Sequence, residues 1–165
     1  MISVYIRRVG IKRRVNLRLI RELVSYILEQ EGKGGSSLSI KICDHKTIHR
    51  MNRLYLDHDW PTDVLAFPMI EDGSEDFSDV EESYIGDCVV SMEMAFERCK
   101  EFDHSPDEEL ALYIIHAVLH ILGYTDKETE CRKIMRARES KYMRKFQEKI
   151  LHDKLIYGDS KSCLL

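Results

Sequence analysis

The stretch LYIIHAVLHILGYTD, residues 112–126, is apolar at nearly every position before its glycine except for two histidines. A helix of this composition has no polar face, so it is expected to be buried on all sides. Upstream, SPDE at residues 105–108 has the residues of a capping box, with proline at the first helical position. Downstream, Gly123 suits a left-handed C-terminal cap. The sequence therefore predicts a central buried helix over residues 106–122.

The two histidines of this helix, His116 and His120, are four residues apart. At about 100° per residue they lie within about 40° of each other, one turn apart. Buried imidazoles need polar partners, and a divalent cation would satisfy one nitrogen of each ring. The alternative is a pair of hydrogen-bonded core histidines. The spacing alone leaves both interpretations open.

A third ligand is available just beyond the helix. Gly123 breaks the helix three residues after His120, so the chain can turn back and bring Asp126 to the same ion. Three protein ligands, one of them a carboxylate, would leave a coordination position open, which is the catalytic arrangement of zinc. We expect Zn²⁺, with Mn²⁺ as the alternative, because an oxygen ligand favours harder cations. Otherwise Asp126 is simply an acid in the first turn of a following helix.

The rest of the pattern predicts a small α+β domain with one four-stranded mixed sheet, about five helices and a zincin-like metal-site helix. We expect one domain over residues 1–158, with a frayed tail over residues 159–165. The acidic stretch at residues 71–83 is expected to be a mobile loop. The predicted strands are 2–9, 38–43, 64–68 and 85–91, and the helices are 16–30, 45–56, 92–103, 106–122 and a last one ending near 151.

Composition excludes some classes of function. A net charge of −4 over 165 residues argues against a surface that is basic all over, though not against a local basic groove. An apolar run of about 18 residues is missing, so no membrane partner is expected. Five cysteines without a C-x-x-C pair indicate a reducing compartment, and we expect a cytoplasmic protein.

The histidine stretch resembles the signature of the YbeY endoribonucleases, which has two histidines four apart, a Gly-aromatic pair and a third histidine. The segments PTDVLAFP at residues 61–68 and IGDCVVS at residues 85–91 resemble further family motifs in order and spacing, as do Asn52 and Tyr55. The resemblance implies an α+β enzyme with a zinc site that cleaves single-stranded RNA. It also implies a role in small-subunit rRNA maturation and ribosome quality control, with the ribosome or its small-subunit proteins as partners.

This sequence departs from the family pattern at two functional positions. Asp126 stands where the family has its third histidine, and Leu56 stands where it has an arginine. Arg53 lies three residues before Leu56, about 60° around the same helix, and could replace that arginine. By this resemblance the catalytic candidates are His116 and Arg53.

The remaining candidates surround the proposed metal site. For contacts to the RNA backbone, which carry no sequence information, we expect Arg53, Arg7, Arg13 and Arg14, with further basic residues from the last helix. Three further residues are candidates for hydrogen bonds that orient a metal-binding side chain: Thr62, Asp63 and Asp87. The alternative for Thr62 and Asp63 is that they only stabilise a turn. The alternative for the arginines is that they are solvated surface charges.

Two other functions remain open from the sequence. Zinc peptidases also use H-x-x-x-H, but they place a glutamate after the first histidine as general base, and Ala117 stands there. A non-catalytic ribosome-assembly or RNA-binding factor with a decayed site would explain both departures, Leu56 and Asp126. A nuclease assay with and without chelator distinguishes this non-catalytic factor from a metal-dependent nuclease.

Overall fold

The computed structural model describes residues 2–69 and 83–158. The predicted tail lies outside these residues, as does the acidic loop except for Ser83, which begins a strand. The elements in chain order are β1 (Ser3–Val9), β2 (Arg14–Val15), α1 (Leu17–Gln30), β3 (Ser36–Cys43), α2 (His45–Leu56), β4 (Val64–Pro68), β5 (Ser83–Ser91), α3 (Met92–Arg98), α4 (Pro106–Ile121), α5 (Thr129–Asp153) and β6 (Ile156–Tyr157).

The main sheet has the order β1-β3-β5-β4, in which the first three strands are parallel and β4 runs antiparallel to β5. This confirms the predicted α+β class with one four-stranded mixed sheet and five helices. The sequence did not predict the small ribbon of β2 and β6. Each of these strands has two residues, too few to show an alternating pattern.

The sheet is covered differently on its two faces. One face, with Leu38, Ile40 and Val90, belongs to the large core that also contains α1 and α4. On the other face Val89 and Leu65 pack with Ile48 of α2. The outer side of α4 is covered by α5. The central helix is therefore the middle layer of the domain, as its apolar composition predicted.

The capping box predicted at the start of α4 is present. The Ser105 hydroxyl accepts a hydrogen bond from the Glu108 backbone N–H, and the Glu108 side chain accepts one from the Ser105 N–H.

Helix α4 is the most apolar of the described helices, and it has 16 residues. Among the described residues no helix combines the length and apolar character needed to cross a bilayer.

Gly86 lets α4 approach the sheet closely. Its φ is +146°, and a β-carbon there would lie 2.4 Å from the Phe67 carbonyl oxygen and 2.8 Å from the Ile121 Cδ1 atom. A side chain at this position would displace the backbone of β4 and the end of the Ile121 side chain in α4. The glycine therefore allows β4, β5 and the last turn of α4 to meet closely at this point.

The carboxylate of Glu31, just after α1, joins three parts of the chain. It accepts hydrogen bonds from the hydroxyls of Tyr142 and Tyr124, the latter at 2.7 Å, and from Arg138 at 3.2 Å. Burial alone would raise the pKa of Glu31, but the hydrogen bonds from both tyrosines and the charge of Arg138 outweigh it and lower the pKa. The cluster ties α1 to α5 and to the segment after α4.

We expect Glu31→Gln to lower the free energy of unfolding by about 2 kcal/mol at pH 7, because a charged acceptor of several hydrogen bonds is lost. Since folding lowers the pKa of Glu31, its contribution is present above the ordinary value of 4.5 and is lost as the pH falls below it. Urea unfolding should therefore show a smaller difference in the free energy of unfolding between Glu31→Gln and wild type at pH 4 than at pH 7. Glu29→Gln, which changes an exposed glutamate in the last turn of α1, is the control. Equal stabilities of the Glu31 and Glu29 variants at pH 7 would contradict the assignment.

Candidate metal centre

His116 and His120 lie together at the C-terminal end of α4, where the helix emerges from the core. Their Nε2 atoms are 2.9 Å apart and their rings are nearly perpendicular. The side chains are 23% and 26% exposed, respectively. Both rings are therefore partly accessible to solvent, so an ion could reach them, and the metal site remains a prediction beside the alternative of a hydrogen-bonded histidine pair.

The turn after α4 brings Asp126 to the histidines. Gly123 has a φ of +94°, its N–H donates to the His120 carbonyl, and the Tyr124 N–H donates to the Leu119 carbonyl, both at 3.0 Å. These two bonds form a Schellman motif, which reverses the chain. Asp126 then lies with its Oδ2 atom 3.8 Å from Nε2 of His116 and 3.9 Å from Nε2 of His120.

Asp126 does not lie in the first turn of the last helix. Helix α5 begins at Thr129, and its N-cap Glu128 makes no side-chain capping bond, so the capping box that residues 125–128 could form is absent. The loop is held instead by Arg132, whose Nε donates to the Asp126 carbonyl at 3.1 Å. A first-turn role therefore does not explain Asp126.

The three side chains fit one metal ion. Their donor atoms, two imidazole nitrogens and one carboxylate oxygen, all lie within 4.8 Å of one another. Donor atoms at about 2.0–2.1 Å from a tetrahedral ion are roughly 3.4 Å apart, so the observed separations need only small adjustments. Nitrogen and oxygen donors suit zinc, and the carboxylate also suits harder cations such as manganese.

Glu139 of α5 orients the first ligand, and the sequence analysis missed it. Its carboxylate is hydrogen-bonded to Nδ1 of His116, which leaves Nε2 free for an ion. Carboxylates commonly hold metal-binding histidines in this way. Glu139 lies one turn after Met135, the first buried residue of α5, so its place beside His116 depends on how α5 packs against α4.

The two histidines have different electrostatic surroundings. Burial lowers the pKa of His116, but the hydrogen bond and charge of Glu139, with the charges of Asp63 and Asp126, outweigh it, so the pKa is raised. Burial and the neighbouring His116 lower the pKa of His120, and the charge of Asp126 only partly offsets them. The difference arises because Glu139 bonds to only one of the rings.

Asp63 lies close enough for its charge to act on His116. Its carboxylate accepts hydrogen bonds from the Thr62 hydroxyl at 3.1 Å and the Val64 N–H at 2.9 Å. Asn52, buried on α2, donates to the Trp60 carbonyl at 2.8 Å and fixes the start of this turn. Thr62 therefore has the turn role given as the alternative, and Asp63 stands beside the centre.

Asp87 lies away from the centre, contrary to its predicted role. It is exposed and accepts hydrogen bonds from the hydroxyls of Ser39 and Tyr84. Successive strand residues alternate between faces, and Cys88 belongs to the core on the α4 side of the sheet. Asp87 therefore points to the opposite face, where it cannot support the ligands.

Among the predicted RNA-binding arginines, Arg136 of the last helix lines the cavity beside the centre, whereas Arg53, Arg7, Arg13 and Arg14 do not. Arg53 is exposed on α2, which covers the sheet face opposite α4. Arg7 pairs in register with Lys41 and also points to that face. Arg13 lies over the Phe96 ring at 4.5 Å, and Arg14 belongs to β2. Their contacts with RNA remain predictions.

A cavity of about 340 Å³ opens beside the centre and includes His116 and Asp126 in its lining. Three arginines line it: Arg136 on α5, one of the basic residues expected from the last helix, and two that the sequence did not suggest, Arg132 on α5 and Arg98 at the end of α3. The other lining residues are Asp63, Phe102, His104, Glu109, Leu112, Tyr113, Met135 and Glu139. The lining therefore combines these three arginines with four carboxylates, those of Asp63, Glu109, Asp126 and Glu139.

Comparisons with known proteins identify the family of the chain. The family described as Endoribonuclease YbeY matches residues 3–147. Endoribonuclease YbeY of Carboxydothermus hydrogenoformans is 39% identical over 127 residues, which are 77% of this chain and 83% of the relative. Endoribonuclease YbeY of Salinibacter ruber is 34% identical over 131 residues, which are 79% of this chain and 83% of the relative.

Among solved structures, the solution structure of TM1509 from Thermotoga maritima has a TM-score of 0.62 and 25% identity. The match covers 90% of this chain and 93% of that chain. The family match and the similarity in fold therefore both extend along most of the sequence. The chain belongs to the YbeY endoribonuclease family.

Proposed function

We propose that this chain is a metal-dependent endoribonuclease that cleaves single-stranded RNA. The observation that carries the proposal is the convergence of His116, His120 and Asp126 on one point, with Glu139 holding the first histidine. Two imidazoles and one carboxylate give a three-ligand centre with room for a further ligand, which is the catalytic type of zinc site. Zn²⁺ is the expected ion and Mn²⁺ the alternative.

Each residue around the centre has a separate proposed role. A divalent cation bound there would supply Lewis-acid catalysis to a phosphodiester. Glu139 fixes the tautomer and orientation of His116. The carboxylate of Asp63, held by Thr62, keeps a negative charge beside that ring. The cavity arginines would neutralise the phosphates of the substrate.

The cavity favours RNA over a peptide as the substrate. Ala117 stands where zinc peptidases place the glutamate that acts as general base, and its methyl side chain cannot serve in that role. The exposed arginines beside the ligands instead match the charge of a nucleic-acid backbone.

The biological substrate proposed here is small-subunit rRNA, in maturation and ribosome quality control. The support is family membership and the named activity of relatives such as the enzyme of Carboxydothermus hydrogenoformans. Small-subunit ribosomal proteins are the corresponding partners. The cysteines at positions 43, 88, 99 and 131 are free thiols, which is consistent with the cytoplasmic location that we propose.

The first test is cleavage of an unstructured, end-labelled RNA. We expect internal cuts by the zinc- or manganese-loaded protein and none after chelation, because the ion supplies the Lewis acid. His116→Ala and His120→Ala should both abolish cleavage, as resolved on a sequencing gel. Intact RNA with the fully loaded wild-type protein would instead favour a non-catalytic RNA-binding factor.

Asp126→Ala should weaken zinc binding by about a hundredfold or more, because the two remaining imidazoles make a poor chelate. Asp126→His should retain binding, since it restores a three-histidine set. Competition with a chromophoric chelator measures both affinities. Glu128→Ala, an exposed acid of the same loop, serves as the control. Unchanged affinity in Asp126→Ala would remove Asp126 from the ligand set.

Glu139→Ala should weaken zinc binding by about 10–100-fold, the usual effect of losing a partner of a ligating histidine. Glu139→Gln should fall in between, since the amide still accepts a hydrogen bond. The same chelator competition applies, with the exposed Glu148→Ala of the same helix as the control. If the Glu139 and Glu148 variants bind zinc equally well, Glu139 has no part in the centre.

A further inference from the structure

The cavity beside the metal centre has the features of a nucleotide site, an inference that rests on the proposed function. We propose that it binds one nucleotide of the RNA next to the cleaved bond, with the base inside the cavity and the phosphates on its arginines. A volume of about 340 Å³ lies in the usual range for small-ligand sites. His116 and Asp126 belong to the same lining, so a bound nucleotide would adjoin the centre.

The hydroxyl of Tyr113 lacks a partner in this cavity. Tyr113 is 4% exposed, and its buried hydroxyl oxygen has no hydrogen-bond partner within 3.5 Å among the described residues, although the Glu109 carboxylate lies close enough to raise the pKa of Tyr113. The nearby Glu109 carboxylate is already bonded through Oε2 to Nδ1 of His104, at 2.9 Å. Because buried hydroxyls are nearly always satisfied, this one is expected to bond to a ligand. A base edge offers the complementary atoms.

The apolar part of the lining suits a base. Phe102 is 57% exposed, although a large aromatic side chain is normally covered. Leu112 and the buried Met135 line the same cavity. Proteins that bind single-stranded RNA commonly stack unpaired bases on exposed aromatic rings. Phe102 is therefore the proposed stacking surface.

Arginines of the cavity are the residues proposed to bind the phosphates of the nucleotide. Arg98 and Arg136 are exposed and line the cavity from α3 and α5. Guanidinium groups bind phosphate oxygens in a bidentate manner, which orients the backbone.

The test uses the zinc-loaded full chain and two kinds of probe, the four nucleoside 5′-monophosphates and ribose 5-phosphate. Isothermal titration should give at least about tenfold tighter binding of one or more nucleotides than of the sugar phosphate, because only nucleotides can stack. Equal affinities for all probes would overturn the site for a base.

Tyr113→Phe removes only the unpaired hydroxyl. We expect about fivefold weaker nucleotide binding, unchanged binding of ribose 5-phosphate, and a melting temperature equal to or above that of wild type. A lower melting temperature with unchanged nucleotide binding would show that the hydroxyl is satisfied within the protein. That result would overturn its proposed role.

Two further variants separate the base from the phosphate. Phe102→Ala should remove most of the preference for nucleotides over ribose 5-phosphate. Arg136→Ala should weaken both probes, whereas Arg144→Ala, an exposed arginine of α5 outside the cavity lining, should weaken neither. Equal effects of the two arginine variants would contradict a phosphate contact at Arg136.

This site and the proposed function can fail independently. Nucleotide binding without RNA cleavage by the loaded protein would retain the site and reject the nuclease. RNA cleavage by a protein that binds nucleotides no better than ribose 5-phosphate would retain the nuclease and reject the site.

Discussion

Burial of α4 on all its sides is the constraint on which the rest of the structure depends. Its residues reach the sheet on one side, through Cys88 and Val90, and α5 on the other, through Met135 and Tyr142. A helix without a polar face is stable only with both layers in place. The chain must therefore supply a sheet before it and a long helix after it. The histidines lie at the end of α4, where this double cover opens.

The same arrangement builds the site from several elements. Helix α4 carries the two histidines, the Schellman turn after it carries Asp126, and α5 returns with Glu139. The turn at Asp63 reaches the centre because its backbone carbonyl accepts a hydrogen bond from the N–H of Ser91, at the end of β5. Each contribution follows from a local backbone feature, and the packing of α4 brings them together.

The sequence predicted what depends on local pattern. The all-apolar run identified α4, and the histidine spacing with the glycine break pointed to Asp126. Glu139 and Arg98 were missed because their positions depend on how α5 and α3 pack, which has no local signature. Asp87 was placed on the wrong face of the sheet for a related reason. The alternation of a strand shows which residues share a face, but not which face meets α4.

The close approach at Gly86 has a consequence for how this protein can change over time. Where two elements meet through side chains, substitutions alter their spacing, and a site built across them drifts. Here the Phe67 carbonyl of β4 lies directly against Gly86 of β5, so backbone atoms set the spacing of these two strands beneath the end of α4. The hydrophobic residues elsewhere can then diverge without changing this spacing, while position 86 tolerates no larger residue.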